Sequence, residues 1–439
     1  WPFLLGYALF PIIVLTMKNL LENPKLITTI VLAGLSTAAV SFAPHWAFIL
    51  AVFFLVYFIV YFALNRENLF SAVKYFFLFG GLCVLFNINW LLPVLLGRGS
   101  LITAVSQFSR NDIIAFQSFH DPVFGLIFNL LSGYGFWVEA QEYFVSPKEI
   151  VFFWPIISLI FIFLATIGAY KIFKNKEKAS LPLAITLIVL FLIALDFAGG
   201  IALPAFSDTA FWLYEKFPFL IGLREPQKLV AVIMFCYAYF GSVGLSFLAG
   251  KVKPVFKYVL LGFFCLLPFI YTPTIFGGFW GQLKPVEYPA SWFKVNEIIS
   301  IDPGMRRDDN PLTLFFPWHQ YMRFGFANNL VLANPAPRFF TKPILASENY
   351  ETKSLYSHDV RPEALHIEGL LSMEKEGVNL AGDQVFARIK WGESTAVINV
   401  KYIILAKEAD WQTYGFLDKS EDLKKIYEDG SLILYYNTS

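Results

Sequence analysis

The sequence predicts a polytopic α-helical membrane protein of about eight transmembrane helices, followed by a C-terminal α/β domain outside the membrane. Three observations lead there. Of 439 residues, 57% are hydrophobic and 18% aromatic, and only 15% are charged, whereas a soluble domain carries roughly 25% charged residues. The charge is also unevenly placed. After position 280 stand 17 of the 34 basic and 21 of the 33 acidic residues, which leaves 17 and 12 for the first 280. That is too few to cover a water-facing surface. Finally, charge-free apolar runs long enough to cross a bilayer recur along that first part.

The runs are Trp1–Met17, Leu26–Ala43, Trp46–Leu64, Tyr75–Gly97, Ile150–Tyr170, Leu181–Pro204, Leu229–Gly250 and Tyr258–Trp280, and Asp196 is the one charge among them. Pro11, Pro93, Pro155 and Pro268 lie inside these runs and are expected to kink the helices, which neighbouring spans tolerate. Alternate loops carry Lys18 and Lys25, then Arg66 and Lys74, then Lys171, Lys174, Lys176 and Lys178, then Lys251, Lys253 and Lys257. Those eleven cations face three acids, Glu22, Glu67 and Glu177, while the opposite loops hold six basic and eight acidic residues. Lys and Arg accumulate on the cytoplasmic side. The four basic loops are therefore cytoplasmic, the protein is a multi-pass plasma-membrane protein, and both ends of the chain lie outside. The chain opens on Trp1 and is expected to be a fragment lacking its N-terminal part.

The division is into a transmembrane domain, 1–280, and an extracytoplasmic soluble α/β domain, 281–439. Within the first, the outer loop 98–149 is long enough to carry helices of its own. Its apolar segment Pro122–Val138 has no charge. As a ninth span it would put the Lys171–Lys178 cluster outside, so it is expected to be re-entrant or interfacial, after an amphipathic stretch at Leu101–Phe119. In the C-terminal domain Pro289–Ile301 reads as a short amphipathic helix, and Leu312–Trp318 and Ala396–Ala406 as strands. Lys424–Tyr436, with Asp429-Gly430 between alternating runs, reads as a hairpin. Ala333–Asp359, rich in Pro, Asn and Ser, reads as ordered loop.

The net charge of +1 points to no nucleic-acid partner. Cys83, Cys236 and Cys265 lie in apolar runs without metal-ligand spacing, and no metal site is expected. Nucleotide-binding, zinc-protease and nucleophile-elbow motifs are absent.

Several residues remain as candidates for chemistry. Asp196, near the outer end of a span, is either a functional carboxylate or a hydrated interfacial one. His45, in the turn Ala43-Pro44-His45-Trp46, either serves a phosphate or as a base, or is an interfacial residue beside a belt Trp. The stretch Leu223-Arg224-Glu225-Pro226-Gln227-Lys228 stands at the mouth of a span. Arg224 offers a planar fork for phosphate and Lys228 a point charge. A helix N-terminus adds its own positive end, and Pro226 suits a first helical turn. Glu225 is expected to hold Arg224, and the spacing of four to place Arg224 and Lys228 on one face. The bland alternative is a structural Arg–Glu pair with a snorkelling Lys. Asp121, Glu139 and Glu142 in the outer loop are candidate bases, with ordinary solvated loop acids as the alternative. His319, in Pro317-Trp318-His319-Gln320-Tyr321 after a strand, marks a candidate binding loop.

Several blocks, taken together, resemble a known group. They are Asp196-Phe197-Ala198-Gly199-Gly200-Ile201-Ala202-Leu203-Pro204, Leu213-Tyr214-Glu215-Lys216-Phe217-Pro218, Leu223-Arg224-Glu225-Pro226, Asn87-Ile88-Asn89-Trp90-Leu91-Leu92-Pro93 and Asn399-Val400-Lys401-Tyr402-Ile403-Ile404. They are similar to blocks of the GT-C-type, polyprenyl-phosphate-sugar-dependent membrane glycosyltransferases and the related YfhO-like membrane proteins, over most of the chain. The resemblance implies a transferase that moves a sugar from a polyprenyl-phosphate donor to an envelope glycan or lipid acceptor on the outer face. Its partners would be membrane lipid, the polyprenyl-phosphate carrier and a glycan acceptor. The one cofactor candidate is a divalent cation. In that family the catalytic Asp or Glu sits in the first outer loop, which cannot be identified here. It is therefore expected upstream of residue 1, with Asp121, Glu139, Glu142 and Asp196 as substitutes. The rival is a non-catalytic scaffold of the cell envelope with a partner-binding outer domain. A secondary transporter would show inverted repeats and more intramembrane charge.

Overall fold

A computed structural model describes residues 2–65, 69–96, 110–141, 144–175, 180–306, 311–349, 351–352, 355–356, 361–380 and 389–439. The chain divides into two compact units, Trp1–Gln282 and Leu283–Ser439.

The first unit is helical: α1 (Pro2–Glu22), α2 (Leu26–Phe42), α3 (His45–Leu64), α4 (Leu69–Phe86), α5 (Ile88–Leu95), α6 (Arg110–Ala115), α7 (Gly125–Leu131), α8 (Trp154–Asn175), α9 (Leu181–Gly199), α10 (Ser207–Lys216), α11 (Val230–Ala249) and α12 (Pro254–Tyr271). Among the described residues, seven helices are long and apolar enough to cross a membrane, namely α1, α3, α4, α8, α9 with its following turn, α11 with its preceding turn, and α12. The shorter apolar α2, 17 residues long, is the eighth. Their outer surfaces stay apolar, as Leu15, Ile27, Leu55, Phe77, Ile156 and Phe163 are all exposed. A helix apolar on every side belongs in lipid, so the unit is a polytopic membrane domain.

Two expectations need correction. The fourth run is not one span over Tyr75–Gly97. Its helix starts earlier, at Leu69, and the chain breaks at Asn87 into α4 and α5. The Asn87 amide there donates to Thr37 Oγ1 at 3.0 Å and accepts from Trp90 Nε1 at 2.9 Å, so a tertiary contact replaces helix continuity. Pro155 occupies the second position of α8. A first-turn proline interrupts no hydrogen bond and makes no kink, whereas Pro11, Pro93 and Pro268 do lie within helices.

The tightest crossing joins α8 to α11. A Cβ on Gly168 would lie 1.8 Å from the Phe240 carbonyl oxygen, and one on Gly244 2.1 Å from that of Leu164. Only glycine lets these backbones touch, the small-residue solution that packs helices in lipid. The segment Pro122–Val138 forms the seven-residue α7 and a glycine-rich turn, too short to cross a membrane, with a 3₁₀ turn over Trp137–Gln141 after it. Ser118 Oγ donates to Ala198 O at 2.5 Å and Tyr271 Oη to Ser132 O at 2.6 Å, tying this segment to the ends of α9 and α12.

The second unit is α/β, built from α13 (Ala290–Ile301), β1 (Leu312–Phe316), β2 (Tyr321–Phe324), β3 (Leu330–Ala333), β4 (Ile344–Leu345), β5 (Glu351–Thr352), β6 (Leu355–Tyr356), α14 (Pro362–Leu380), α15 (Trp391–Ala396), β7 (Val400–Ala406), β8 (Leu423–Glu428) and β9 (Leu432–Asn437). A five-stranded mixed sheet runs β4-β1-β7-β9-β8. β1 is parallel to β4 and β7, and β9 is antiparallel to β7 and β8. Strand alternation sorts the core into two faces. Phe315, Tyr402, Ile404 and Leu434 pack under Trp292, Val295 and Ile299 of α13. Leu314, Phe316, Ile403 and Leu405 pack under Ala364, Ile367 and Leu370 of α14 and under Trp391. Both faces of β1 and β7 are thus covered, so apart from Thr313 and Lys401 they read as apolar runs. The hairpin turns at Asp429, whose Oδ1 accepts from Ser431 N at 2.8 Å and Leu432 N at 2.9 Å. The strand expected from Ala396 starts only at Val400, because 391–396 is helical.

Candidate functional site

The stretch around Arg224 is set by a close approach. Gly200, at φ +51, ends α9, and a Cβ there would sit 3.3 Å from the Pro226 ring. Glycine relieves both the dihedral and the contact. From there α10 and a 3₁₀ turn over Pro218–Leu223 lead to a second turn, Pro226–Leu229, which opens α11.

Three of the expected residues meet here. Lys228 Nζ lies 3.2 Å from His45 Nε2, and Glu225 Oε2 pairs with the same ammonium. Arg224 instead lays its guanidinium over the Phe116 ring, 5.0 Å from the centroid. The expected Glu225–Arg224 clamp is thus replaced by a Glu225–Lys228 pair. Arg224 also precedes the helical turn, so the spacing of four does not set it on one face with Lys228. The alternative for His45 is corrected too. Its neighbour Trp46 is no interfacial belt residue, being fully buried with Nε1 donating to Phe3 O at 3.0 Å.

Sequence reasoning missed three residues here. Phe116 is buried and meets Trp137 edge-on at 4.9 Å. The Trp137 indole N–H is buried and, among the described residues, has no hydrogen-bond partner. Gln227 is 8% exposed, and neither its amide nitrogen nor its oxygen has a partner among the described residues. Gln227 was visible inside the Arg224–Lys228 stretch, but as a plain polar residue between two charges it gave no signal. Beneath these lies a small apolar pocket lined by Phe197, Gly200, Phe206, Ala210, Tyr214 and Leu223. Burial pushes the Tyr214 hydroxyl up to about 12, so it stays protonated at neutral pH.

A second cluster gathers the loop acids. Lys148 Nζ lies 3.2 Å from Asp121 Oδ2 and 2.9 Å from Glu139 Oε2, and also donates to Asn129 Oδ1. Tyr134, at 4.7 Å, and Trp154, at 5.2 Å, offer ring faces to the same ammonium. Each carboxylate is held by backbone as well. Asp121 Oδ1 accepts from Val123 N and Phe124 N, at 3.0 and 2.9 Å, and Glu139 Oε1 from Gly135 N and Phe136 N, at 3.0 and 3.1 Å. Asp121 and Glu139 are therefore not ordinary solvated loop acids, since their side chains are only 9% and 7% exposed. Burial pushes the Asp121 carboxyl up, but the Phe124 and Val123 amides and Lys148 outweigh it and hold it below the usual range. A carboxylate so stabilised is a poor general base at neutral pH. Lys148 itself was missed, because its partners lie 27 and 9 residues away in sequence. Asp196 lies at an exposed position in the last turn of α9 and, among the described residues, forms no ion pair. Glu142 lies outside the described residues.

In the second unit His319 Nε2 lies 3.0 Å from Asp410 Oδ1, and that bond holds the Asp410 carboxyl below its usual range. Among the described residues no group of three or more His, Cys, Asp or Glu is placed to hold a metal ion.

No protein-family model and no curated protein matches this chain. Among solved structures the chain is similar to the cryo-EM structure of the arabinofuranosyltransferase AftD from Mycobacteria, at a TM-score of 0.49 and 11% identity. The match covers 94% of this chain but only 27% of that one.

Proposed function

We propose that the protein is a GT-C-like membrane glycosyltransferase that takes a sugar from a polyprenyl-phosphate donor and passes it to an envelope glycan or lipid on the outer face. The observation that carries the proposal is the Arg224–Lys228 turn. Two cations and the buried, unpartnered amide of Gln227 stand at the head of a span, beside an apolar pocket. That combination suits a ligand with an anionic head and an apolar tail. In the reaction, Arg224 and Lys228 would offset the charge that develops on the departing lipid phosphate. His45 would steer the Lys228 ammonium. Asp121 and Glu139 already hold Lys148, so the base that deprotonates the acceptor hydroxyl stays unassigned. A divalent cation on the donor phosphate is the one cofactor this chemistry admits.

One observation favours a second reading, a non-catalytic envelope scaffold. Lys228 is already compensated by Glu225, as a purely structural cap would be. The two separate on carrier-lipid binding and sugar transfer by Arg224→Lys and Lys228→Gln, with folding checked. Arg224→Lys keeps the charge but loses the bidentate fork, so the transferase should lose binding and turnover in both variants. Unchanged binding and turnover in both would favour the scaffold. Orientation has its own test. In a chain stripped of Cys83, Cys236 and Cys265, an impermeant maleimide outside the cell should label a cysteine at Lys424 and spare one at Asn175.

A further inference from the structure

The second unit holds another gathering of polar groups. β1 and β7 are parallel neighbours, with Phe316 beside Leu405, so the segments that follow them leave the sheet at the same edge. There they part. The chain after β1 first packs Trp318 with Phe316 and Tyr414 and then crosses to the α13 face, where Met322, Phe324 and Ala336 are buried with Phe315. The chain after β7 turns to the α14 face, where Tyr414 and Leu417 pack with Phe316 and Ile403. Neighbouring parallel strands whose connections depart to opposite faces form a topological switch point, and open α/β sheets bind ligands in the crevice at its carboxyl end.

The residues of that edge are polar and underused. Trp318 is 4% exposed, yet among the described residues its indole N–H has no hydrogen-bond partner. The Gln320 side-chain oxygen and the Asn334 side-chain nitrogen are likewise buried without partners. These two residues are cross-strand neighbours, with Asn334 N donating to Gln320 O at 2.7 Å. Buried polar groups are otherwise satisfied almost throughout native proteins. From the β7 side come the acceptors Glu408 and Asp410, held by Gly325 N at 3.0 Å and His319 at 3.0 Å. Lys407, the cation of the same loop, is engaged by Glu428 at 2.9 Å. The Tyr321 ring, 40% exposed, stands at the start of β2.

We propose that this crevice binds a neutral saccharide through its hydroxyl groups. A hydroxyl both donates and accepts, which suits a sheet edge whose loops supply the N–H donors of Trp318 and Asn334 and the acceptors Gln320, Glu408 and Asp410. An anionic ligand would meet two carboxylates while Lys407 is already paired. An apolar one would leave the buried polar atoms unsatisfied. The exposed Tyr321 ring offers an apolar face for a sugar ring to lie on. Saccharide binding stands on the unit's own geometry; only the identification of that saccharide as the acceptor rests on the transferase reading.

The test is saturation-transfer NMR on the whole chain in lipid nanodiscs, with neutral hexasaccharides of glucose, mannose, galactose and arabinose as probes and a hexapeptide pool as comparison. At least one hexasaccharide should bind. Trp318→Phe, which keeps the ring and removes the N–H, should weaken it about fivefold. Gln320→Leu, on a less buried residue, should do the same and covers the case in which the first variant misfolds. Failure of every hexasaccharide, unchanged binding in the folded variants, or a preference for the peptides overturns the proposal. Saccharide binding that survives in a protein without transfer activity sinks the transferase and leaves this site standing.

Discussion

The Arg224 guanidinium lies over the ring of Phe116, 5.0 Å from its centre. Phe116 follows α6 and Arg224 precedes α11, so one contact draws the 110–150 segment against the basic turn. The ring fixes the plane of the fork, and with it the direction in which the guanidinium faces the turn. Phe116→Leu keeps the apolar bulk and removes the ring face. With a cation–π contact contributing about 0.5–2 kcal/mol, carrier-lipid affinity should fall by roughly two- to thirtyfold, measured by native mass spectrometry of the delipidated protein. Affinity equal to wild type would make the stacking incidental.

Among the described residues, Lys148 is the one cation in contact with both buried carboxylates of its segment. Lys148→Met should therefore destabilise the membrane unit by about 3–5 kcal/mol, since both charges lose their partner. The triple variant that adds Asp121→Asn and Glu139→Gln should recover most of that loss, because no net charge is left buried. Thermal unfolding in detergent reads both. A single variant as stable as wild type would contradict the pairing.

The Asp121 carboxyl also sets a pH dependence. Its folded value lies below the unfolded one of about 3.9, so between the two the unfolded chain binds the extra proton. The stability it contributes is complete above the unfolded value and is lost as pH falls through the folded one. Between pH 6 and pH 3 the melting temperature of the wild type should fall further than that of Asp121→Asn. Parallel curves for the two proteins would remove Asp121 from the account.

At the α8–α11 crossing, Gly244→Val should abolish or sharply reduce folded protein, because its Cβ would strike backbone that cannot move aside. Gly34→Ala in α2 is the control. A Cβ there meets nothing within 4 Å and replaces glycine with a better helix former. Size-exclusion profiles after extraction separate the two, and a well-folded Gly244→Val protein would show that the helices can part.

Much of the fold was legible because the bilayer imposes run length and charge exclusion on the chain itself. The Asp429-Gly430 hairpin and α13 were legible for a similar local reason, turn chemistry and periodicity. What escaped depended on partners distant in sequence. The break at Asn87 needs Thr37, fifty residues away, and nothing in Asn87-Ile88-Asn89 announces it. Pairing of β1 with β7 brings together strands more than eighty residues apart. α14 is different, because Pro362 opens it and Ala364, Ile367 and Leu370 form its apolar stripe; that signal was readable among its charges. At the candidate site the residues around Arg224 were picked out, but their pairing was not. Which cation a glutamate takes is decided by how the chain bends between Arg224 and Pro226, and composition carries no trace of that.

The glycine crossing has a mechanical consequence. Trp154, the first residue of α8, covers Lys148, and Lys228 stands in the turn that opens α11. Between these tips and the opposite ends of the two helices, Gly168 and Gly244 act as a rivet, because with no side chain in the joint there is nothing to slide or compress. The acid–lysine knot and the basic turn thus stand on two helices whose separation is fixed by the same two absent side chains.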